Sequence, residues 1–164
     1  GPDLNQMVNQ INFNQPKAGQ GWGWHQDYRF RKTGVTNLRQ NYLQSLVAID
    51  VCSEETGGLR LIPQSDHLEL KLDTEPDDEK HFDANSAITP HLEPGDVIFF
   101  NPYVIHGSTP NQSERKRRVF INGFVNAQAS TVGRPLMRAG QICDESGDME
   151  YESQPDHIAT ASKY

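Results

Sequence analysis

The chain has 164 residues, 35% hydrophobic and 23% charged, with a formal net charge of −7. That is enough for one domain with a real core, and the composition is that of a folded globular protein. The acidic balance argues against a nucleic-acid surface, and no window approaches the ~18 unbroken apolar residues of a membrane helix.

The expected partner is therefore a small molecule, with no nucleic acid and no membrane. The first residues lack the charged and apolar regions of a signal peptide, and Gly1-Pro2 has the look of a tag-cleavage remnant. Cys52 and Cys143 are far apart, so free thiols and a cytoplasmic location are the default expectations.

In chain order, residues 7–13 alternate apolar and polar side chains and predict a half-buried strand. Residues 43–51 are mostly apolar and predict a central strand. Gly57-Gly58 is a turn, followed by a short strand over 59–62 that Pro63 ends. Residues 71–84 are acidic and polar, and predict a solvated loop. Glu93-Pro94-Gly95-Asp96 is a tight-turn sequence leading into a strand over 97–100. The last strong strand covers 117–125. Beyond Asn126 the chain is rich in Gly, Pro and acids, which divides it into a core of residues 1–126 and an extension or tail packing on it, 127–164. No segment is a long amphipathic helix. Many short strands with turns between them predict an all-β sandwich, jelly roll or barrel.

The chemistry-bearing residues begin with Trp24-His25-Gln26-Asp27. On a strand, residues i and i+2 share a face, so an imidazole and a carboxylate there converge on one ion. An isolated His-x-Asp is usually a surface accident, and a third ligand is needed for a two-histidine, one-carboxylate site. Such a site leaves positions open on Fe(II) for a chelating co-substrate and O2. His106 is the best candidate, after the turn containing Pro102 and at the start of a turn His106-Gly107-Ser108. His67, His81, His91 and His157 sit in polar or turn settings and read as solvated, with His91 a mild rival.

Arg117 follows His106 by eleven residues. Its planar fork suits the distal carboxylate of a chelating co-substrate, with Ser108 as a nearby hydroxyl donor. Arg118 competes for that role, because both faces of its strand carry apolar residues and alternation leaves the register open. The basic run 115–118 also has a nucleic-acid reading, which the acidic chain disfavours. Tyr28, Phe30 and Arg31 are candidate substrate contacts or an exposed loop. Trp22, Trp24 and Tyr103 are pocket-lining or packing aromatics. Arg29, Arg31 and Lys32 form a positive cluster suited to an anionic substrate.

Taken in order, Trp24-His25-Gln26-Asp27-Tyr28, Gly57 to Ser65, Pro94 to Phe100, His106-Gly107-Ser108 and Arg117 resemble the phytanoyl-CoA dioxygenase family, which includes ectoine hydroxylase. The resemblance runs from about Val8 to about Val125. It implies a double-stranded β-helix (cupin-like jelly roll) and an Fe(II)- and 2-oxoglutarate-dependent dioxygenase that uses O2 and releases succinate and CO2. It places the iron on His25, Asp27 and His106, and 2-oxoglutarate on Arg117, Ser108 and Asn12. Gln10 stands where ectoine hydroxylase has an arginine. A carboxylate at position 27 implies hydroxylation or desaturation rather than halogenation. The family's proline-glycine-serine-histidine turn appears as Pro63-Gln64-Ser65-Asp66, and most of its helical N-terminal portion is absent. That absence implies a fragment, a trimmed form or a homo-oligomer. The competing classes are a cupin-like metal- or ligand-binding module and an inactive structural fragment.

Overall fold

A computed structural model describes residues 2–17, 21–71 and 76–143. Its strands are β1 (Leu4–Asn14), β2 (Tyr42–Ala48), β3 (Leu59–Leu61), β4 (Val97–Phe100), β5 (His106–Ser108), β6 (Arg117–Asn126), β7 (Arg134–Arg138) and β8 (Gln141–Ile142). The α-helices among the described residues are single turns, α1 (Tyr28–Arg31) and α2 (Leu38–Asn41). None is long and apolar enough to cross a membrane.

Six strands form one antiparallel sheet in the order β4-β2-β6-β1-β7-β8, and β3 pairs with β5 in a second layer. Segments outside the named strands widen that layer. His25 exchanges backbone hydrogen bonds with His106, and Ser108 donates to Trp22, both on the edge of β5. Ile88 does the same with Leu61 on β3. Between the layers lies a core of Leu46, Ala48, Cys52, Leu61, Leu92, Phe100 and Val119. This is an all-β double-stranded β-helix, in which spatial neighbours are far apart in sequence.

β1 inverts the usual rule for a half-buried strand. Gln10, Asn12 and Asn14 lie opposite Ile121, Val119 and Arg117, and directly opposed residues share a face. Val119 and Arg117 are buried, so that polar face of β1 looks inward. Ile11 and Phe13 look outward and are 49% and 63% exposed. A register shift between Gln6 and Val8 sets this phase. The apolar–polar alternation locates the strand, but the polar side faces the interior.

The extension expected after Asn126 is partly built into the sheet. β7 pairs with β1 through Leu4–Met137, Asn5–Pro135 and Gln6–Arg134, and β8 pairs with β7. Residues 144–164 lie outside the described residues, as does part of the expected solvated loop, residues 72–75. Within that loop a 3-10 turn runs Pro76–His81.

The divergent turn places a glutamine where the backbone favours glycine. Gln64 has φ 58° and ψ 19°, the left-handed region where a Cβ is strained. Ser65 Oγ holds the turn, donating to the Ile62 carbonyl at 2.8 Å and accepting from the Ile105 N–H at 2.8 Å. Gln64→Gly should therefore raise stability by about 0.5–1 kcal/mol, the relieved strain exceeding the extra freedom of the unfolded chain. Thermal unfolding of the two proteins measures it.

Candidate metal centre

His25 sits at the end of the bridge to β5, and His106 is the first residue of β5 itself. The shared ladder brings the two rings to a centroid separation of 4.2 Å. Asp27 is not on the same strand face as His25, as the i, i+2 reading supposed. Its φ and ψ are −70° and −17°, and it stands at the N-cap position of α1 without a side-chain capping bond. Gln26 makes the turn. Its buried amide donates to the Leu68 and Tyr103 carbonyls and accepts from the Leu70 N–H, so the chain leaves the ladder there. His106-Gly107-Ser108, expected as a turn, is a strand because it is paired on both edges.

The turn still brings the carboxylate to the histidines. Asp27 Oδ1 is 3.7 Å from His25 Nε2 and 3.9 Å from His106 Nε2. Ligand atoms of the three residues all lie within 4.8 Å of one another. Each Nδ1 is 2.8 Å from a backbone carbonyl, Gly23 for His25 and Val104 for His106. Nδ1–H therefore donates, and each Nε2 lone pair is left facing the shared centre. His106 is buried, and burial, then His25, pushes its pKa down to about 4. It is thus neutral at physiological pH, as a ligand must be. For Asp27, burial works toward the protonated form. His106, Arg31, His25 and the Gln44 bond together outweigh it and hold the carboxyl below its ordinary range. A neutral His106, a second imidazole and an ionised carboxylate fit a divalent cation.

Behind Asp27 lies a group that the sequence reading missed. Gln44 Nε2 donates to Asp27 Oδ2 at 2.6 Å, and the Tyr42 hydroxyl donates to Gln44 Oε1 at 3.2 Å. All three residues are buried, and burial raises the Tyr42 phenol to about 12. The phenol tucks against Gly123, where any Cβ would collide with its oxygen. Gln44 fixes one carboxylate oxygen and leaves Oδ1 for the metal. Gln44→Leu should lower metal affinity roughly 10- to 100-fold, the usual loss for an outer partner, with the fold retained. Calorimetric titration with Ni2+, beside circular dichroism, measures this. Sequence carries no signal for Gln44 beyond its place on a strand.

Arg117 is 7% exposed, opposite Asn14 on the inner face of the sheet. Its Nη2 donates to the Gly57 carbonyl at 2.5 Å, while its Nε is buried with no partner. Gly57 has φ +72°, and a Cβ there would approach the Thr109 carbonyl to 2.6 Å and the Asn14 amide to 2.7 Å. The glycine is what lets that carbonyl reach the arginine. A buried guanidinium with an orphaned N–H fits an anionic co-substrate. Arg118 points the other way, forming a two-pronged pair with Asp50 at 2.8 Å on each prong.

The remaining candidates divide. Ser108 is half-buried on β5, and its Oγ accepts from Trp22 N–H at 3.1 Å, which leaves its own O–H to donate. Asn12 is half-buried and accepts from the exposed Gln10 amide at 3.2 Å. Tyr28 stacks on Tyr103 at 4.6 Å and donates to the Leu70 carbonyl, in a scaffolding position. Phe30 is 41% exposed. Arg31 lies beside Asp27, with Nη2 3.9 Å from Oδ2. Trp24 packs edge-on against Phe82, and Trp22 is exposed. His67 and His91 are exposed and bonded locally.

A profile of phytanoyl-CoA dioxygenase (PhyH) matches residues 2–119. The chain belongs to the phytanoyl-CoA dioxygenase family. Among its curated relatives is 2-aminoethylphosphonate dioxygenase from uncultured bacterium HF130_AEPn_1, 36% identical over 115 residues, covering 68% of this chain and 42% of the relative. L-proline trans-4-hydroxylase from Streptomyces griseoviridis is 25% identical over 154 residues, covering 77% and 58%. The chain thus spans about half the length of these family members. In fold it resembles EctD from S. alaskensis, solved with 2-oxoglutarate and 5-hydroxyectoine, with a TM-score of 0.66 at 17% identity, covering 85% of this chain and 56% of that one.

Proposed function

We propose that this chain is the core of an Fe(II)- and 2-oxoglutarate-dependent dioxygenase that hydroxylates or desaturates a small molecule and releases succinate and CO2. The observation that carries this reading is the convergence of His25, Asp27 and His106, with ligand atoms within 4.8 Å of one another, in a chain of this family. Bound iron would supply the O2-dependent oxidation, with 2-oxoglutarate as the accompanying reductant. The chain's own residues bind and orient. The two imidazoles and the carboxylate would hold the metal and leave positions on it for the co-substrate and O2. Arg117 would hold the distal carboxylate of 2-oxoglutarate, assisted by the Ser108 hydroxyl and, from β1, by Asn12. Gln44, by holding Oδ2, would leave Asp27 Oδ1 to bind the metal. Asp27 also occupies the place a halide ligand would need, which favours oxygenation over halogenation.

The test is succinate formation from 2-oxoglutarate, with and without Fe(II), across a panel of small phosphonates and free amino acids, the compound types named for the relatives. Iron- and O2-dependent succinate release that one panel member stimulates is expected. Metal uptake with no turnover of 2-oxoglutarate would instead mark a metal-binding module.

A further inference from the structure

Arg31 hydrogen-bonds the Tyr42 hydroxyl, but no acid balances its charge at hydrogen-bonding distance. Its side chain is 18% exposed, and its Nε is buried without any hydrogen-bond acceptor. The nearest acid is Asp27, but Nη2 stands 3.9 Å from Oδ2, beyond hydrogen-bonding distance. That oxygen is already taken by Gln44 at 2.6 Å. Arg31 is therefore not what holds Asp27 in place.

Charge balance makes this sharper. Asp27 is the only buried acid among the described residues, and Arg117 is the only buried arginine. In the iron enzyme proposed above, a divalent metal takes up the charge of Asp27. The two charges of 2-oxoglutarate are met by the metal's remaining charge and by Arg117. One positive charge is left over, on Arg31, close to the metal centre and largely out of water. An uncompensated charge in such a place is costly, and an incoming anion cancels it.

We infer that Arg31 is the substrate's counter-charge, so that the substrate is a small molecule bearing an oxyanion, a phosphonate or a carboxylate, held by the Arg31 guanidinium beside the metal. This rests on the iron and 2-oxoglutarate reading. The planar fork, with a free N–H, suits either oxyanion and gives a neutral or cationic molecule nothing.

The test uses the whole chain loaded with Ni2+ and 2-oxoglutarate, which binds without turning over. Methylphosphonate, propionate, propanol and ethylamine are titrated in by calorimetry, with 31P line broadening for the phosphonate. Wild-type protein should bind one or both anions and neither of the other two, and the two anion arms identify the oxyanion. Arg31→Gln should weaken anion binding about 10- to 100-fold, as expected for a lost charge-assisted bond, and Arg31→Lys should weaken it less. Ni2+ affinity should not fall in either variant, since removing a positive charge near the centre does not weaken cation binding. Three results would overturn the inference: no anion binding by the wild type, equal anion binding by Arg31→Gln, or a fall in Ni2+ affinity matching the fall in anion binding. The last would make Arg31 a support for Asp27. Failure of 2-oxoglutarate to bind the Ni2+-loaded wild type would bring down the iron and 2-oxoglutarate reading, and this inference with it.

Discussion

Asp27→Asn is expected to remove metal binding while leaving the fold intact. The amide is nearly the same size, so packing around α1 is preserved, and one of its two polar atoms still faces Gln44. What is lost is the only buried negative charge among the described residues. Two imidazoles remain, with the Arg31 charge nearby and no anion to offset it, and a divalent cation then meets net repulsion. The loss should exceed the roughly 10- to 100-fold that accompanies an outer-shell change such as Gln44→Leu. Metal-induced stabilisation gives a direct readout. At a free metal concentration of 100 times its Kd, wild-type protein should gain about 2.7 kcal/mol, and Asp27→Asn close to none at the same concentration. Equal thermal shifts in the two proteins would mean that the three side chains converge without binding a metal.

How much of this was legible beforehand depended on range. β4 came from a turn sequence and an apolar run that stand next to each other, and the structure places it at Val97–Phe100 as expected. β1, β2 and β6 were legible in the same way, within a few residues at their ends. β5 was not. His106-Gly107-Ser108 has no strand propensity, and it is extended only because Leu59 to Leu61 and the Trp22–His25 segment pair with its two edges. β7 was missed because the stretch beyond Asn126 reads as a Gly-, Pro- and acid-rich tail, yet Pro135 is paired where it stands opposite Asn5. His25, Asp27 and His106 were singled out from residue type and order, and the structure brings them together, although the geometry imagined for Asp27 was a strand and the real one is the N-cap position of α1. Gln44 and Gln26 left no trace in the sequence. An amide becomes informative only when its fixed partners are known, and those lie 17 residues away for Gln44 and 42 to 77 for Gln26.

The choice between Arg117 and Arg118 shows what register adds and leads to the second large effect. Both arginines open the same strand, and only pairing separates them: Arg117 lies opposite the inward Asn14, Arg118 opposite the exposed Phe13. Arg118 already has a two-pronged partner in Asp50, which draws that carboxyl's pKa down. Arg117 is buried, which lowers its own pKa, and its Nε still lacks an acceptor. Arg117→Ala should therefore weaken 2-oxoglutarate binding strongly. Truncating one partner of a buried charge pair costs about 2–5 kcal/mol, which corresponds to at least about 30-fold in Kd. Arg118→Ala should leave that Kd unchanged, because its pair is on the surface. Arg117→Lys should fall between, since a single ammonium keeps the charge but loses the two-pronged geometry. Titration of 2-oxoglutarate into Ni2+-loaded protein measures all three, and Ni2+ affinity itself should be the same throughout. If Arg118→Ala raised the Kd and Arg117→Ala did not, the co-substrate would have to enter from the outer face of the sheet. The separation of His25, Asp27 and His106 from that face would then leave the metal without its chelating partner.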